Sequence, residues 1–413
     1  MALGNFSALR SAFSNRNFAI YMSGNILSLV GYWMQRLAVG WLAWETSHSE
    51  FWVGAVAFAE ICPLIVVGPL FGVWADRFDR KLLAIVIQCL SSVQALALFL
   101  VIKFDMLSIG LLVGLTLIEG MIQASYQPVR LALIPNLVEK KDLVAAAAFT
   151  AVSFNVARFA GPAIGGIVIN LYSPAWAVLF NSISYLLIVS AWYFIRLPAF
   201  VPKVEKKKSI LGDMKEGALY VLDRPALLSM FMLLTIIALF ARPLSYLLSA
   251  FVGAVYNAGP ETLALFTSSV GAGAVLAGLK ITMSGQTRGL IREIMLTTLI
   301  TIVSLIWFAS TQNKWLATGL IFCFGYSITI CTVASQTLVQ TAIDDVMRGR
   351  VLSLWVAFTR GAPALGVLVI GWFANIYGLM WPNVIAGLLC LCGLLLMVRR
   401  RRDMRKYFEH AES

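Results

Sequence analysis

The sequence predicts an all-α membrane protein, with twelve transmembrane helices in two pseudo-symmetric six-helix bundles. Three observations lead there. Of 413 residues, 60% are hydrophobic and 13% charged, whereas soluble chains average about 25% charged. The apolar residues fall in runs that match a bilayer, which needs about 20 residues per helix. The basic residues gather in alternate breaks between those runs. A mean hydropathy of +0.84 excludes a soluble multi-domain protein and a disordered chain.

The spans read as about 17–44, 52–75, 82–103, 107–129, 143–171, 174–196, 225–252, 260–283, 293–311, 315–338, 351–377 and 380–398. The breaks are short and carry turn residues or charge, as in Ser47-His48-Ser49-Glu50 and Asn257-Ala258-Gly259-Pro260. An even count puts both termini on one side, and the basic residues choose the cytoplasm. All but six of the 32 lysines and arginines then fall at cytoplasmic edges. Lys103 and Lys314 face outward; Arg36, Arg158, Arg242 and Arg360 lie inside spans. The net charge of +12 therefore reads as topology and lipid headgroups, with no nucleic-acid partner expected.

Residues 197–224 form one long polar connection, Pro198, Pro202 and Lys206-Lys207-Lys208 among them. Asp213 to Asp223 reads as a short interfacial helix. The expected division is a bundle over 1–196, a linker over 197–224, a second bundle over 225–402 and a cytoplasmic tail over 403–413. Span five carries Ala160-Gly161-Pro162-Ala163-Ile164-Gly165-Gly166, and span eleven carries Gly361-Ala362-Pro363-Ala364-Leu365-Gly366-Val367. Similar segments in corresponding spans suggest duplication. Residues 1–16 lack the apolar core of a cleavable signal. The six cysteines sit in apolar runs as packing residues, and Cys390 and Cys392 point about 200° apart on a helix. With two histidines, His48 and His410, no metal site, cofactor or catalytic residue is expected.

After span two comes Gly68-Pro69-Leu70-Phe71-Gly72-Val73-Trp74-Ala75-Asp76-Arg77-Phe78-Asp79-Arg80-Lys81. Gly68 and Gly72, four apart, suggest close approach of another helix. The segment resembles the major facilitator superfamily pattern G-x-x-x-D-R-x-x-R-[RK], matched at Gly72, Asp76, Arg77, Arg80 and Lys81. That resemblance implies a cytoplasmic gate. Gly161-Pro162-x-x-Gly165-Gly166 resembles the helix-five motif of exporters in that superfamily, and implies efflux by antiport. Gly31-Tyr32-Trp33-Met34-Gln35-Arg36, Trp41-Leu42, Pro128 to Pro135 and Arg348-Gly349-Arg350-Val351 resemble its enterobactin-exporter and macrolide-efflux branch. The loop Ser284-Gly285-Gln286-Thr287-Arg288 lacks the acidic residue of the first-half motif, so any gate is asymmetric.

Charges inside spans cost about 2.5–3.5 kcal/mol or more each at a helix centre. At 1.5 Å per residue, Glu119 and Arg158 approach the midplane, while Arg36 and Glu60 fall in the outer third. Two pairs are therefore expected, Glu119–Arg158 and Arg36–Glu60. Glu60 and Glu119 are the proton-coupling candidates, because a buried Glu beside an Arg can alternate between ion pair and neutral acid. Arg242 and Arg360 have no acidic partner in the spans of their half. They suit an anionic substrate, or else bond to helix carbonyls and Gln336, Gln340 or Asn375. Arg242-Pro243 also predicts a broken span seven. Asn25, Gln123 and Tyr126 join Arg36, Arg158, Arg242 and Arg360 as cavity candidates, with Gln35, Gln94, Asn155 and Asn181 at similar depths.

The expected function is a proton-coupled exporter of a small organic molecule such as a siderophore or drug, working as a monomer by alternating access in a bacterial inner membrane. The alternatives are an importer or lipid transporter of the same fold and, from another class, a polytopic membrane enzyme. The last lacks a paired acidic or histidine motif at a membrane face.

Overall fold

The computed structural model describes residues 11–197, 210–284 and 289–409. Arg10, the lysines at 203 and 206–208, the loop at 285–288 and His410 lie outside them. Eleven helices among the described residues are long and apolar enough to cross a membrane. A further helix, Arg16–Ser47, precedes them. Its buried face carries Asn25, Ser28 and Gln35, polar groups that lower its hydropathy. With it the long helices number twelve.

Helix boundaries follow the chemistry of the breaks. Span two is two helices, Glu50–Ile61 and Pro63–Arg77, because Pro63 starts a new first turn at Cys62. Span three begins at Arg80, where the Asp79 carboxylate accepts from the Lys81 and Leu82 amides at 2.8 and 3.1 Å. Ser108 caps span four, and Asn313 caps span ten. The linker helix forms over Ile210–Leu222.

Span seven is broken, as Arg242-Pro243 predicts. The α-helix Pro225–Ile236 passes into a π turn at Ile237–Ala241, a 3-10 turn at Arg242–Ser245 and a second π turn at Phe251–Val255. Pro243 has no amide hydrogen to donate, so the ladder must loosen ahead of it. Span eleven does the same ahead of Pro363, with a π turn at Ala357–Gly361. Span five instead stays one α-helix, Leu143–Leu171, through Pro162.

Two compact units emerge. One gathers described residues within Met1–His48, Ala59–Glu205 and Ala258–Ser268; the other gathers those within Ser49–Phe58, Lys206–Asn257 and Ser269–Ser413. In the first unit, Phe18, Tyr21, Met22, Tyr126 and Trp192 share a buried core cluster. In the second, Ile210–Leu222 packs on the start of span eleven. Arg350 Nη1 meets Glu216 Oε1 at 2.6 Å there, and the Tyr220 hydroxyl donates to Asp344 at 3.2 Å.

Glycines set the closest helix contacts. A Cβ on Gly120 would lie 2.6 Å from the Glu60 carbonyl oxygen and 2.8 Å from that of Ala59, so spans two and four touch backbone to backbone. Gly161 and Gly165 pack on span one, where their Cβ atoms would meet the Val30 carbonyl at 3.0 Å and Met34 Cα at 3.2 Å. The matching Gly366 packs on Leu239 and Pro243 of span seven. The expected close approach at Gly72 is corrected. A Cβ there would meet nothing within 4 Å, and one at Gly68 would make only ordinary contact, because this end of the helix faces open space.

Gly114 also faces open space on the same helix as Gly120. Gly114→Ala should stabilise the purified protein by about 0.5–1 kcal/mol through helix propensity. Gly120→Ala should destabilise it by about 1–3 kcal/mol through overpacking. Thermal unfolding of both variants in detergent checks the opposite signs.

Candidate functional site

A buried polar cluster sits inside the first unit, where spans one, two, three, four and six each contribute a side chain. The Gly120–Glu60 backbone contact places the two carboxylates of these spans on one small cavity of about 30 Å³. Tyr32, Arg36, Glu60, Gln94, Thr116 and Glu119 line it. Its volume suits one or two water molecules.

Glu60 is paired. Arg36 Nε lies 3.1 Å from Glu60 Oε1, and the Tyr32 hydroxyl donates to the same oxygen at 3.1 Å. The Arg36–Glu60 pair is thus as the sequence predicts. Arg36 also stacks on Trp33, its guanidinium carbon 4.9 Å from the ring centroid. Both side chains of the ion pair remain about a quarter exposed.

Glu119 is held differently. It is 6% exposed. Tyr185 donates to its Oε1 at 2.9 Å, Gln123 Nε2 donates to the same oxygen at 2.7 Å, and Gln123 also donates to the Tyr185 hydroxyl at 2.9 Å. Its second oxygen, Oε2, has no hydrogen-bond partner among the described residues. The expected Glu119–Arg158 pair is corrected. Arg158 instead reaches Trp33, 5.7 Å from the ring centroid, on the indole that Arg36 also approaches. Equal depth along two helices does not make two side chains face each other. Gln94 Oε1 and Thr116 Oγ1, on residues that line the same cavity, likewise have no partner among the described residues.

The other candidates lie around this cluster. Asn181 Nδ2 donates to Gln35 Oε1 at 2.8 Å, and both are buried. Asn25 accepts from the Tyr21 hydroxyl at 3.0 Å. Tyr126 is part of the apolar core with Tyr21 and Trp192. Asn155 bonds only its own helix, at the Ala151 carbonyl. Thr116 and Tyr185 are not legible in the sequence, because hydroxyl residues inside apolar runs carry no motif, and Tyr32 stands there only within Gly31-Tyr32-Trp33-Met34-Gln35-Arg36, with no site role.

In the second unit, Arg242 donates to the Thr359 carbonyl at 3.0 Å and to Thr332 Oγ1 at 3.1 Å. Thr359 precedes Arg360 in the π turn of span eleven, and Arg360 is exposed. The two arginines thus lie on the two loosened helices of that unit. Of the motif after span two, the Asp76 side chain lies outside the described residues. Arg80 Nη1 donates to the Ala132 carbonyl at 3.4 Å and Lys81 Nζ to the Ile195 carbonyl at 2.7 Å, at the ends of spans four and six. Cations there meet the negative ends of two helices. Arg77 is exposed.

A model of the transmembrane secretion effector family matches residues 7–411. The chain belongs to that family. It is a transporter family of the major facilitator type, which makes this an integral membrane protein. The effector-family chain is 23% identical to the staphyloferrin A transporter of Staphylococcus aureus over 401 residues, covering 95% of this chain and 98% of that one. It is 24% identical to the enterobactin exporter EntS of Escherichia coli, with 92% and 91% covered, and 19% identical to macrolide efflux protein A of Streptococcus pyogenes, with 91% and 93% covered. Among solved structures, a bacterial homologue of the human lysosomal transporter Spinster aligns with a TM-score of 0.73 at 14% identity, over 94% of this chain and 97% of that one. The nucleoside transporter NupG aligns with a TM-score of 0.69 at 11% identity, over 91% and 98%. These two show a shared fold.

The Arg36–Glu60 pair should behave as a unit. Arg36→Gln and Glu60→Gln should each lose about 1–3 kcal/mol by leaving one charge alone, and the double variant should lose less than the sum. Unfolding midpoints of the three proteins check this; additive losses would show two uncoupled side chains.

Proposed function

We propose that this chain exports a small organic anion against inward proton flow, by alternating access. The observation that carries the reading is Glu119: a buried carboxylate with one oxygen held by Tyr185 and Gln123 and the other without a partner, on the cavity where Glu60 is already ion-paired. Such a group can take up and release a proton at Oε2 without losing the bonds that position it. Glu60 is the second coupling candidate, exchanging through rearrangement of its pair with Arg36 and Tyr32. Each proton moving inward across 100 mV supplies about 2.3 kcal/mol, enough to bias a rocking equilibrium roughly fiftyfold.

Arg242 and Arg360 support an anionic substrate. They stand on helices whose π and 3-10 turns free backbone groups, and no acidic residue is among the hydrogen-bond partners described for Arg242. Arg36, Asn25, Gln123, Tyr126 and Arg158 are the first-half candidates for the substrate path. Similarity to siderophore and macrolide transporters supports export of compounds in this size class. Gly72, Asp76, Arg77, Arg80 and Lys81 are proposed as the cytoplasmic gate, and Gly161, Pro162, Gly165 and Gly166 as the exporter motif, of which Gly161 and Gly165 pack on span one and Gly166 on Ala264 of span eight. Both termini are proposed to be cytoplasmic, and the working unit a monomer in a bacterial inner membrane.

Proteoliposomes with an imposed proton gradient test this against a panel of siderophores, macrolides and dyes. At least one anionic member should move with the gradient. Glu119→Gln should abolish gradient-driven movement while leaving substrate exchange, and Arg242→Gln should raise KM about tenfold for anionic members only. Gradient-driven transport undiminished in Glu119→Gln would remove Glu119 from the mechanism.

A further inference from the structure

A groove in the second unit is not used by the transport reading. It lies between Pro225–Ile236 of span seven and Met380–Arg399 of span twelve, with a volume of about 60 Å³. Met232, Ile236 and Leu396 wall it, and Met232 and Leu396 are 43% and 50% exposed. Gly393 keeps it narrow, since a Cβ there would lie 3.0 Å from Ile236. These walls belong to membrane-spanning helices, so their exposed faces suit hydrocarbon and not water.

One end of the groove is cationic. Arg400 lines it and donates to Ser229 Oγ at 3.3 Å. The helix Pro225–Ile236 starts at the same end, with no side-chain cap on its first amides and no acidic residue in its first turn. Among the described residues, no side chain caps the positive end of that helix. Arg399, Arg401 and Arg402 flank Arg400 and are exposed. The short helix Arg401–Glu409 is fixed by buried Met404 and Phe408, which leaves Arg405 and Lys406 exposed. Asp223, Asp403 and Glu409 are the neighbouring acids in sequence, outnumbered by these cations.

An apolar slot ending in arginines and a bare helix N-terminus matches one ligand chemistry: an acyl chain joined to a phosphate. We propose that this groove binds an anionic phospholipid, with a chain along Met232, Ile236 and Leu396 and its phosphate at Arg400 and the start of span seven. A free phosphate would gain nothing from the walls, and a zwitterionic lipid would gain less from the cations.

Native mass spectrometry of the delipidated full chain in detergent tests this. The probes are phosphatidylglycerol, phosphatidylcholine with the same chains, and inorganic phosphate. Phosphatidylglycerol should bind more tightly than phosphatidylcholine. Arg400→Gln should weaken it about fivefold, the share of one interfacial arginine. Met232→Trp, which fills the slot on its exposed side, should weaken it too. Lys314→Gln, at the other end of the spans, should leave it unchanged, and unfolding midpoints confirm that each variant is folded. Equal affinity for the two lipids, undiminished binding in Arg400→Gln, or displacement by inorganic phosphate alone would overturn the proposal.

Discussion

The contact of Gly120 with the Glu60 carbonyl governs the first unit. Two helices meet there at a distance no side chain allows. Because Glu119 precedes Gly120 and Glu60 supplies the facing backbone, the contact brings two carboxylates to one cavity. Membrane interiors make that arrangement costly, since an isolated charge has no water to turn to. The protein answers with two different solutions. Glu60 receives a cation and a hydroxyl; Glu119 receives a hydroxyl and an amide, on one oxygen only. The asymmetry between the two acids is the chemical content of the site.

The two halves keep one packing scheme and differ in how their helices are built. Gly165 of span five rests on span one, and Gly366 of span eleven rests on span seven, at positions 201 apart in the repeated segment. The first half keeps its spans five and six as unbroken α-helices and holds Glu60 and Glu119 inside its spans. The second loosens spans seven and eleven with π turns ahead of Pro243 and Pro363, and it places its arginines there. π turns recur at functional positions, and here they coincide with charges that have no acidic partner in their own spans. On the proposed reading, two halves with one packing scheme are divided between proton handling in the first and anion recognition in the second.

Much of the fold was legible because hydrocarbon imposes a length and a composition on each span. The repeat of apolar runs and turn residues placed the helices to within a few residues, and Arg242-Pro243 located the break in span seven. The Arg36–Glu60 pair was legible from depth. The Glu119–Arg158 pair was not, because depth fixes height in the membrane and leaves direction around the helix undetermined. Gln123 stands one turn from Glu119, so that bond was within reach of helical spacing. Tyr185 was not, since its partner comes from another span through a tertiary contact. Glycine spacing misled at Gly72, where a Cβ would meet nothing within 4 Å among the described residues.

Coupling at Glu119 requires that this carboxyl exchange its proton when the transporter binds its cargo. Proton uptake or release can be read directly with a pH indicator in weakly buffered detergent solution as a transported substrate is added. If Glu119 couples transport, a substrate-dependent proton change occurs in the natural protein and disappears in Glu119→Gln while substrate still binds. An identical proton change in Glu119→Gln would contradict it.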